Sequence, residues 1–203
     1  MDDQKFLLSD LENEYIKYFN MIAKKKFNQL KQPCDDALKK IESLKKIIEN
    51  DNKEENNKNL ENFKIEINNS SETLLKPIYL VAELKFSKIY LNTLNILKKI
   101  VVYDLINEAE YIKAINVLKD YFFITQNEDV QIKVLEILQH IISGSSAKFS
   151  EENIDNLMSI CKIDYNKGHI KSIECKNAIQ LLLGIFTKKI FDVTDDINVI
   201  KFL

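Results

Sequence analysis

The sequence predicts an all-α fold, a right-handed α-α superhelix of about eight helices in the armadillo or HEAT style, and three observations carry that expectation. Only 3 Gly and 2 Pro occur in 203 residues, too few for the frequent turns of a sheet protein. Residues 128–143, EDVQIKVLEILQHIIS, put Val130, Val134, Ile137, Leu138 and Ile141 on one face of a 3.6-residue helix, with Gln131, Lys133, Glu136 and Gln139 opposite. Burying five such side chains is worth about 8 to 15 kcal/mol before conformational entropy is subtracted, so this helix needs neighbours. The third observation is an echo. Leu97 and Ile100 match Leu138 and Ile141, Ile115 and Leu118 match Ile154 and Leu157, and residues 134–141 resemble 178–185. Periods of about 40 to 47 residues in paired helices are those of HEAT and armadillo arrays, which favours a superhelix over a closed bundle.

Taken in order, Asp3 to about Lys31 reads as a first helix with Phe6, Leu7, Leu11, Tyr15, Tyr18, Ile22 and Phe27 in a stripe and Lys24-Lys25-Lys26 near its C-terminal end, where lysines suit the dipole. Pro33 and Asp35 mark a second start, carried by Ala37, Leu38, Ile41, Leu44 and Ile48 to about Glu49. Residues 50–70 are polar and Asn-rich and are expected to form a flexible loop. A third helix is expected from Ser71, with Pro77 in its first turn or kinking it. A fourth follows Lys85 or Ser87, with Ile89, Leu91, Leu94, Leu97, Ile100 and Val101 inward, and a fifth runs from about Asn107 to Phe123. The sixth is 128–143, after which Gly144 is placed for a left-handed C′ residue. Ser150 opens a seventh helix lined by Ile154, Leu157, Met158 and Cys161. The eighth, Lys171 to about Phe191, is the most apolar, with Ile173, Ala178, Leu181, Leu182, Ile185, Phe186 and Ile190, and is expected to be central. The chain, 1–203, is read as one domain.

Charge and cysteine content narrow the function classes. The 29 basic residues are all lysine and the net charge is −2, so bidentate arginine grips are absent and nucleic-acid binding is disfavoured. Three widely spaced cysteines, Cys34, Cys161 and Cys175, suggest no disulfide framework and a reducing compartment. The N-terminus lacks the apolar core of a signal peptide, and no apolar run approaches the ~20 residues of a membrane span.

No constellation of residues signals chemistry. Glu136 and His140 lie four apart, but a carboxylate-bridged di-metal bundle needs a Glu-x-x-His pair on each of two helices. Cys161, His169 and Cys175 match no zinc spacing. The adjacent carboxylates Asp35-Asp36, Glu151-Glu152 and Asp195-Asp196 read as helix-start charges. No Gly-rich phosphate loop or nucleophile elbow is present. The reading is therefore of a non-enzyme with no metal, cofactor or small-molecule substrate. Two stretches remain as candidate interaction surfaces. Lys24, Lys25, Lys26 and Phe27 form a basic cluster that is either a contact for anionic lipid or an acidic partner, or a solvated helix end. The tail ending in Ile200, Phe202 and Leu203 is apolar where a solenoid's last repeat wants a polar face, so it either docks on the array or is covered by further helices or a partner.

Three stretches together resemble a known family. Residues 6–44, FLLSDLENEYIKYFNMIAKKKFNQLKQPCDDALKKIESL, residues 89–142 around the Val101-Val102 break, and residues 171–191 with Cys175, Ala178 and Gln180, look like the N-terminal DCB domain (dimerisation and cyclophilin-binding) of the Mon-two family, relatives of the large Arf exchange factors. The family's Lys-Phe is usually followed by Pro. Here Asn28 follows and Pro33 comes later, so that turn is expected to differ. The resemblance implies the N-terminal fragment of a longer scaffold, peripheral to Golgi or endosomal membranes on their cytoplasmic side and lacking the Sec-seven exchange domain. It implies partners among copies of itself, adjacent domains, Arf-like GTPases and other trafficking factors, and carries over no catalytic residue. The alternative from the residues alone is an armadillo-like adaptor holding peptides in a concave groove.

Overall fold

The computed structural model describes residues 2–24, 27–50, 56–144, 151–161 and 173–193. Among the described residues the chain is all-α: α1 (Asp2–Lys24), α2 (Asn28–Asn50), α3 (Asn56–Glu83), a 3-10 turn (Ser87–Ile89), α4 (Tyr90–Val102), α5 (Glu108–Ile124), α6 (Glu128–Gly144), α7 (Glu151–Cys161) and α8 (Ile173–Val193). The chain divides into two compact units, Met1–Val117 and Leu118–Leu203, with the boundary inside α5.

The first unit is built on three interlocking stripes. In α1 the buried residues are Leu8, Leu11, Tyr15, Tyr18 and Ile22, and in α2 they are Leu30, Cys34, Ala37, Ile41, Leu44 and Ile48, both at the alternating spacing of three and four that keeps one face inward. α2 packs on both α1 and α3, and α4 on α1 and α3. Ion pairs stitch the rims: Lys5 with Glu49 at 2.8 Å, Lys45 with Glu12, Lys40 with Glu66, and Lys99 with Asp10 at 2.7 Å. Partly exposed pairs of this kind contribute up to about 1 kcal/mol each, so they tune register more than stability.

α3 differs most from the sequence expectation. It begins at Asn56, not near Ser71, so residues 56–70 are helix where a loop was expected, while 51–55 lie outside the described residues. Its buried positions run Phe63, Ile67, Ser70, Ser71, Leu74, Leu75, Ile78 and Val81, a helical stripe interrupted by two serines that looks polar in sequence. Those serines are affordable in the core because their hydroxyls are satisfied locally. Ser70 donates to the Glu66 carbonyl and Ser71 to the Ile67 carbonyl at 3.1 Å. Ser71 also lies 3.3 Å from the Leu105 carbonyl and accepts the Asn107 backbone N–H at 3.1 Å, fixing the entry to α5. Asn107 caps that helix, its Oδ1 taking the Glu110 N–H at 2.9 Å. Pro77 lies deep inside α3, buried, and not in its first turn. Three residues before it, the Leu74 carbonyl accepts the buried Tyr15 hydroxyl from α1, which burial holds well above its usual pKa.

Two helix ends close in the same way, and a third shares one of their bonds. The Phe86 N–H reaches back to the Val81 carbonyl at 3.2 Å and the Lys85 N–H to Ala82 at 3.1 Å, with Lys85 at φ 54°. Leu105 reaches Ile100 at 2.9 Å and Asp104 reaches Val101 at 3.1 Å, with Asp104 at φ 53°. These are Schellman closures, in which a left-handed C′ residue, usually glycine, turns the chain out of the helix. At the end of α1 the Phe27 N–H makes the corresponding bond to Ile22 at 3.1 Å. The expected first helix therefore ends at Lys24 and not about Lys31, and Pro33 sits inside α2, whose start is the turn at Phe27. Gly144, by contrast, is the last residue of α6 and not a left-handed C′ position.

In the second unit α6 buries Val130, Gln131, Val134, Leu135, Ile137, Leu138, Ile141 and Ile142. Asn127 caps it, accepting the Asp129 and Val130 N–H groups at 2.9 and 3.3 Å. The Gln131 amide donates to the Thr125 carbonyl at 3.2 Å, which explains a glutamine on a buried position. α8 packs on α6 and α7 through Cys175, Ile179, Leu182 and Phe186. Two residues expected on its inward face point outward instead: Ile173 is 68% and Leu181 56% exposed.

Three outcomes follow. Lys85→Gly removes a non-glycine left-handed residue and should stabilise the chain by about 0.5 to 1 kcal/mol in urea unfolding; a loss would contradict the closure. Ser71→Ala leaves the Asn107 N–H without its acceptor and should cost about 1 to 3 kcal/mol; a neutral result would show that the serine bonds carry nothing. The Lys99 ammonium and the Tyr103 hydroxyl beside Asp10 hold its carboxyl below the usual carboxylate value. A depressed folded pKa gives stability that is complete above the unfolded value near 4 and lost as pH falls below it. Stability of the wild type should therefore decline more steeply than that of Asp10→Asn below about pH 4, and parallel acid limbs would refute the assignment.

Candidate functional site

Of the residues singled out in sequence, Lys24 is exposed at the end of α1 and Phe27 is half-buried in the turn that follows. Lys25, Lys26, Ile200, Phe202 and Leu203 lie outside the described residues. What the structure adds is the neighbour of Phe27. Its ring stacks on Phe86 with centroids 4.6 Å apart and a 31° tilt, an arrangement worth about 0.5 to 1.5 kcal/mol beyond area burial. The two rings join the α1–α2 turn to the turn after α3.

The two phenylalanines hold equivalent places in their turns. Each phenylalanine follows a lysine, closes the preceding helix with its N–H, and opens the next structure with its carbonyl: Leu30 N–H donates to Phe27 at 3.1 Å and Ile89 N–H to Phe86 at 3.0 Å. Around the pair lies an open cavity of about 530 Å³ lined by Phe27, Lys85, Phe86, Ser87 and Lys88. Lys85 and Lys88 are exposed. Lys5, Lys17, Lys39, Lys40, Lys45, Lys46, Lys99 and Lys113 of this unit are in ion pairs, whereas Lys24, Lys85 and Lys88, like Lys31 and Lys76, have no carboxylate partner among the described residues.

Sequence reasoning found the first half of this site and missed Lys85, Phe86, Ser87 and Lys88. The signal was present: Lys26-Phe27-Asn28 and Lys85-Phe86-Ser87 are both Lys-Phe followed by a small polar residue, and Phe27 and Phe86 each donate their N–H to the carbonyl five residues back.

The other groups weighed in sequence have plain structural positions. His140 is exposed. Glu136 pairs with Lys133 at 2.8 Å on its own helix. Burial pushes the Cys34 thiol up to about 12 and the Cys175 thiol to about 11, so both are un-ionised packing groups and not nucleophiles. His169 lies outside the described residues, among which no three of His, Cys, Asp and Glu come together as a metal site. No described helix is long and apolar enough to cross a membrane. Glu110 is buried but satisfied, taking the Tyr79 hydroxyl at 2.7 Å and the Lys113 ammonium at 2.6 Å.

Comparison with the curated proteins and with the solved structures returned no significant match. Comparison with protein families returned one, the DCB family, described as the Mon2/Sec7/BIG1-like dimerisation and cyclophilin-binding domain, over residues 2–191. Since that match runs from the first turn of α1 almost to the end of α8, the chain belongs to the DCB family of Mon2/Sec7/BIG1-like domains.

Proposed function

We propose that the chain is a non-catalytic interaction and self-association module of a membrane-trafficking scaffold, acting on the cytoplasmic side of Golgi or endosomal membranes. The observation that carries this reading is the family match across 2–191, to a domain described by dimerisation and by binding of another protein. The described side chains support it. Buried Glu110 and Ser71 and half-buried Asp10 are engaged in holding helices together, and Cys34 and Cys175 are buried. Partners of this module are proteins: a second copy, adjacent domains of a longer chain, a cyclophilin, or an Arf-like GTPase. Membrane association is peripheral and follows from those partners.

The test is mass in solution and direct binding. Sedimentation equilibrium should show a concentration-dependent rise toward twice the monomer mass with a dissociation constant of about 1 to 100 µM. A strictly monomeric chain over that range that also retains neither a cyclophilin nor an Arf-like GTPase would end the proposal.

A further inference from the structure

We infer that the cavity at Phe27 and Phe86 is a docking site for an acidic peptide segment carrying an apolar anchor side chain. The inference deepens the interaction-module reading by naming a partner chemistry and a place for it. Four features of the site set the occupant. The cavity, about 530 Å³, is walled by two aromatic rings held against each other, so it offers apolar surface to a side chain such as leucine or phenylalanine and is fixed before the ligand arrives. Lys85 and Lys88 stand on its rim, and Lys24 lies three residues before Phe27. None of the three has a carboxylate partner among the described residues, so no internal ion pair has to be broken when an acidic ligand approaches. Ser87 adds a hydroxyl at the same edge. Glu83, two residues before Lys85, is exposed and sets the one nearby opposing charge in that stretch of sequence.

Concavity selects a peptide over a lipid surface. An aromatic that inserts into a bilayer projects from the protein, whereas Phe27 and Phe86 are both half-buried and stacked on each other. A ring pair recessed behind lysines receives a side chain and meets flanking carboxylates at the rim.

The probe is a short fluorescein-labelled peptide of Asp and Glu residues around a central Leu-Phe pair, titrated with the full 203-residue chain by anisotropy. Binding should weaken about tenfold or more on raising ionic strength from about 0.05 to 0.3 M. The double variant Lys85→Glu, Lys88→Glu reverses two exposed charges and should abolish binding while the far-ultraviolet circular dichroism spectrum stays helical, the negative charge at the C-terminus of α3 lowering the melt only slightly. Phe86→Leu, which keeps an apolar wall but loses the ring, should weaken binding about tenfold. A version of the peptide with Asn and Gln for its carboxylates should not bind. Equal binding of that neutral peptide, no binding of the acidic one to the folded wild type, or full retention by the double variant would each overturn the assignment. So would capture by phosphatidylserine vesicles that the double variant loses while the peptide does not bind, which would place a lipid headgroup there. Sedimentation of the double variant keeps the two readings apart: unchanged self-association with lost peptide binding supports the docking site, and peptide binding by a chain that never self-associates leaves the site standing while removing the dimerisation proposal.

Discussion

The first unit depends on a single requirement: α3 must carry polar atoms through an apolar core without leaving any of them unpaired. It is packed by α2 on one flank and α4 on the other, so a serine on its inward stripe has no water to fall back on. A lone buried hydroxyl or amide costs roughly 1 to 3 kcal/mol. Ser70 and Ser71 avoid this by bonding carbonyls one turn back, and Ser71 then accepts the Asn107 N–H at the entry to α5. The same helix takes the Tyr15 hydroxyl from α1 on the Leu74 carbonyl and sends the Tyr79 hydroxyl to Glu110 of α5. Apolar area supplies the bulk of the stabilisation, but it is indifferent to register. These directional bonds decide which turn of one helix faces which turn of the next.

Helix termination is the second constraint, and composition makes it severe. With 3 glycines in the whole chain, left-handed C′ positions fall to Lys85 and Asp104. Each carries a strain of about 1 kcal/mol that glycine would lack. The strain persists because the residue after each one is held: Phe86 and Leu105 donate back to Val81 and Ile100, Leu105 is buried, and Phe86 is pinned by Phe27. Here a tertiary contact substitutes for local propensity.

What could be read from the residues follows from this. The stripes of α1, α2, α4 and α6 were legible in the main because most of their buried positions are apolar, as with Val130, Val134, Ile137, Leu138 and Ile141, all buried, but Phe6 of the expected α1 stripe is 70% exposed and Gln131, read as lying opposite the α6 stripe, is buried. The family resemblance was legible in residues 6–44, 89–142 and 171–191, and the family match covers them. The first half of α3 was not legible, because Asn-rich solvent positions and the Ser70-Ser71 pair hide a stripe whose members are Phe63, Ile67, Leu74 and Ile78. Periodicity counts apolar residues and cannot see a hydroxyl bonded to its own helix. α8 misled in the opposite direction: Ile173 and Leu181 are as apolar as core residues, yet the buried face is Cys175, Ile179, Leu182 and Phe186, and only packing separates the two. The site was half legible for a related reason. Lys-Lys-Lys-Phe stands out as a charge run, while Lys85-Phe86-Ser87-Lys88 does not, and their juxtaposition is a matter of tertiary structure 59 residues apart.

The candidate site inherits its rigidity from these same bonds. Phe27 and Phe86 are each anchored on the backbone side by an N–H to the preceding helix and a carbonyl to the following turn, and each ring is set by its stacking on the other. A cavity walled by mobile side chains would close on itself in water, since burying the ring faces against each other is favourable. The stacking at 4.6 Å already satisfies that tendency on one side of each ring and leaves the other side as a fixed apolar surface under a lysine rim. Helix ends in this chain therefore do two things at once. They turn the backbone without glycine, and at Phe27 and Phe86 the residues that secure the turns are the residues that face the cavity.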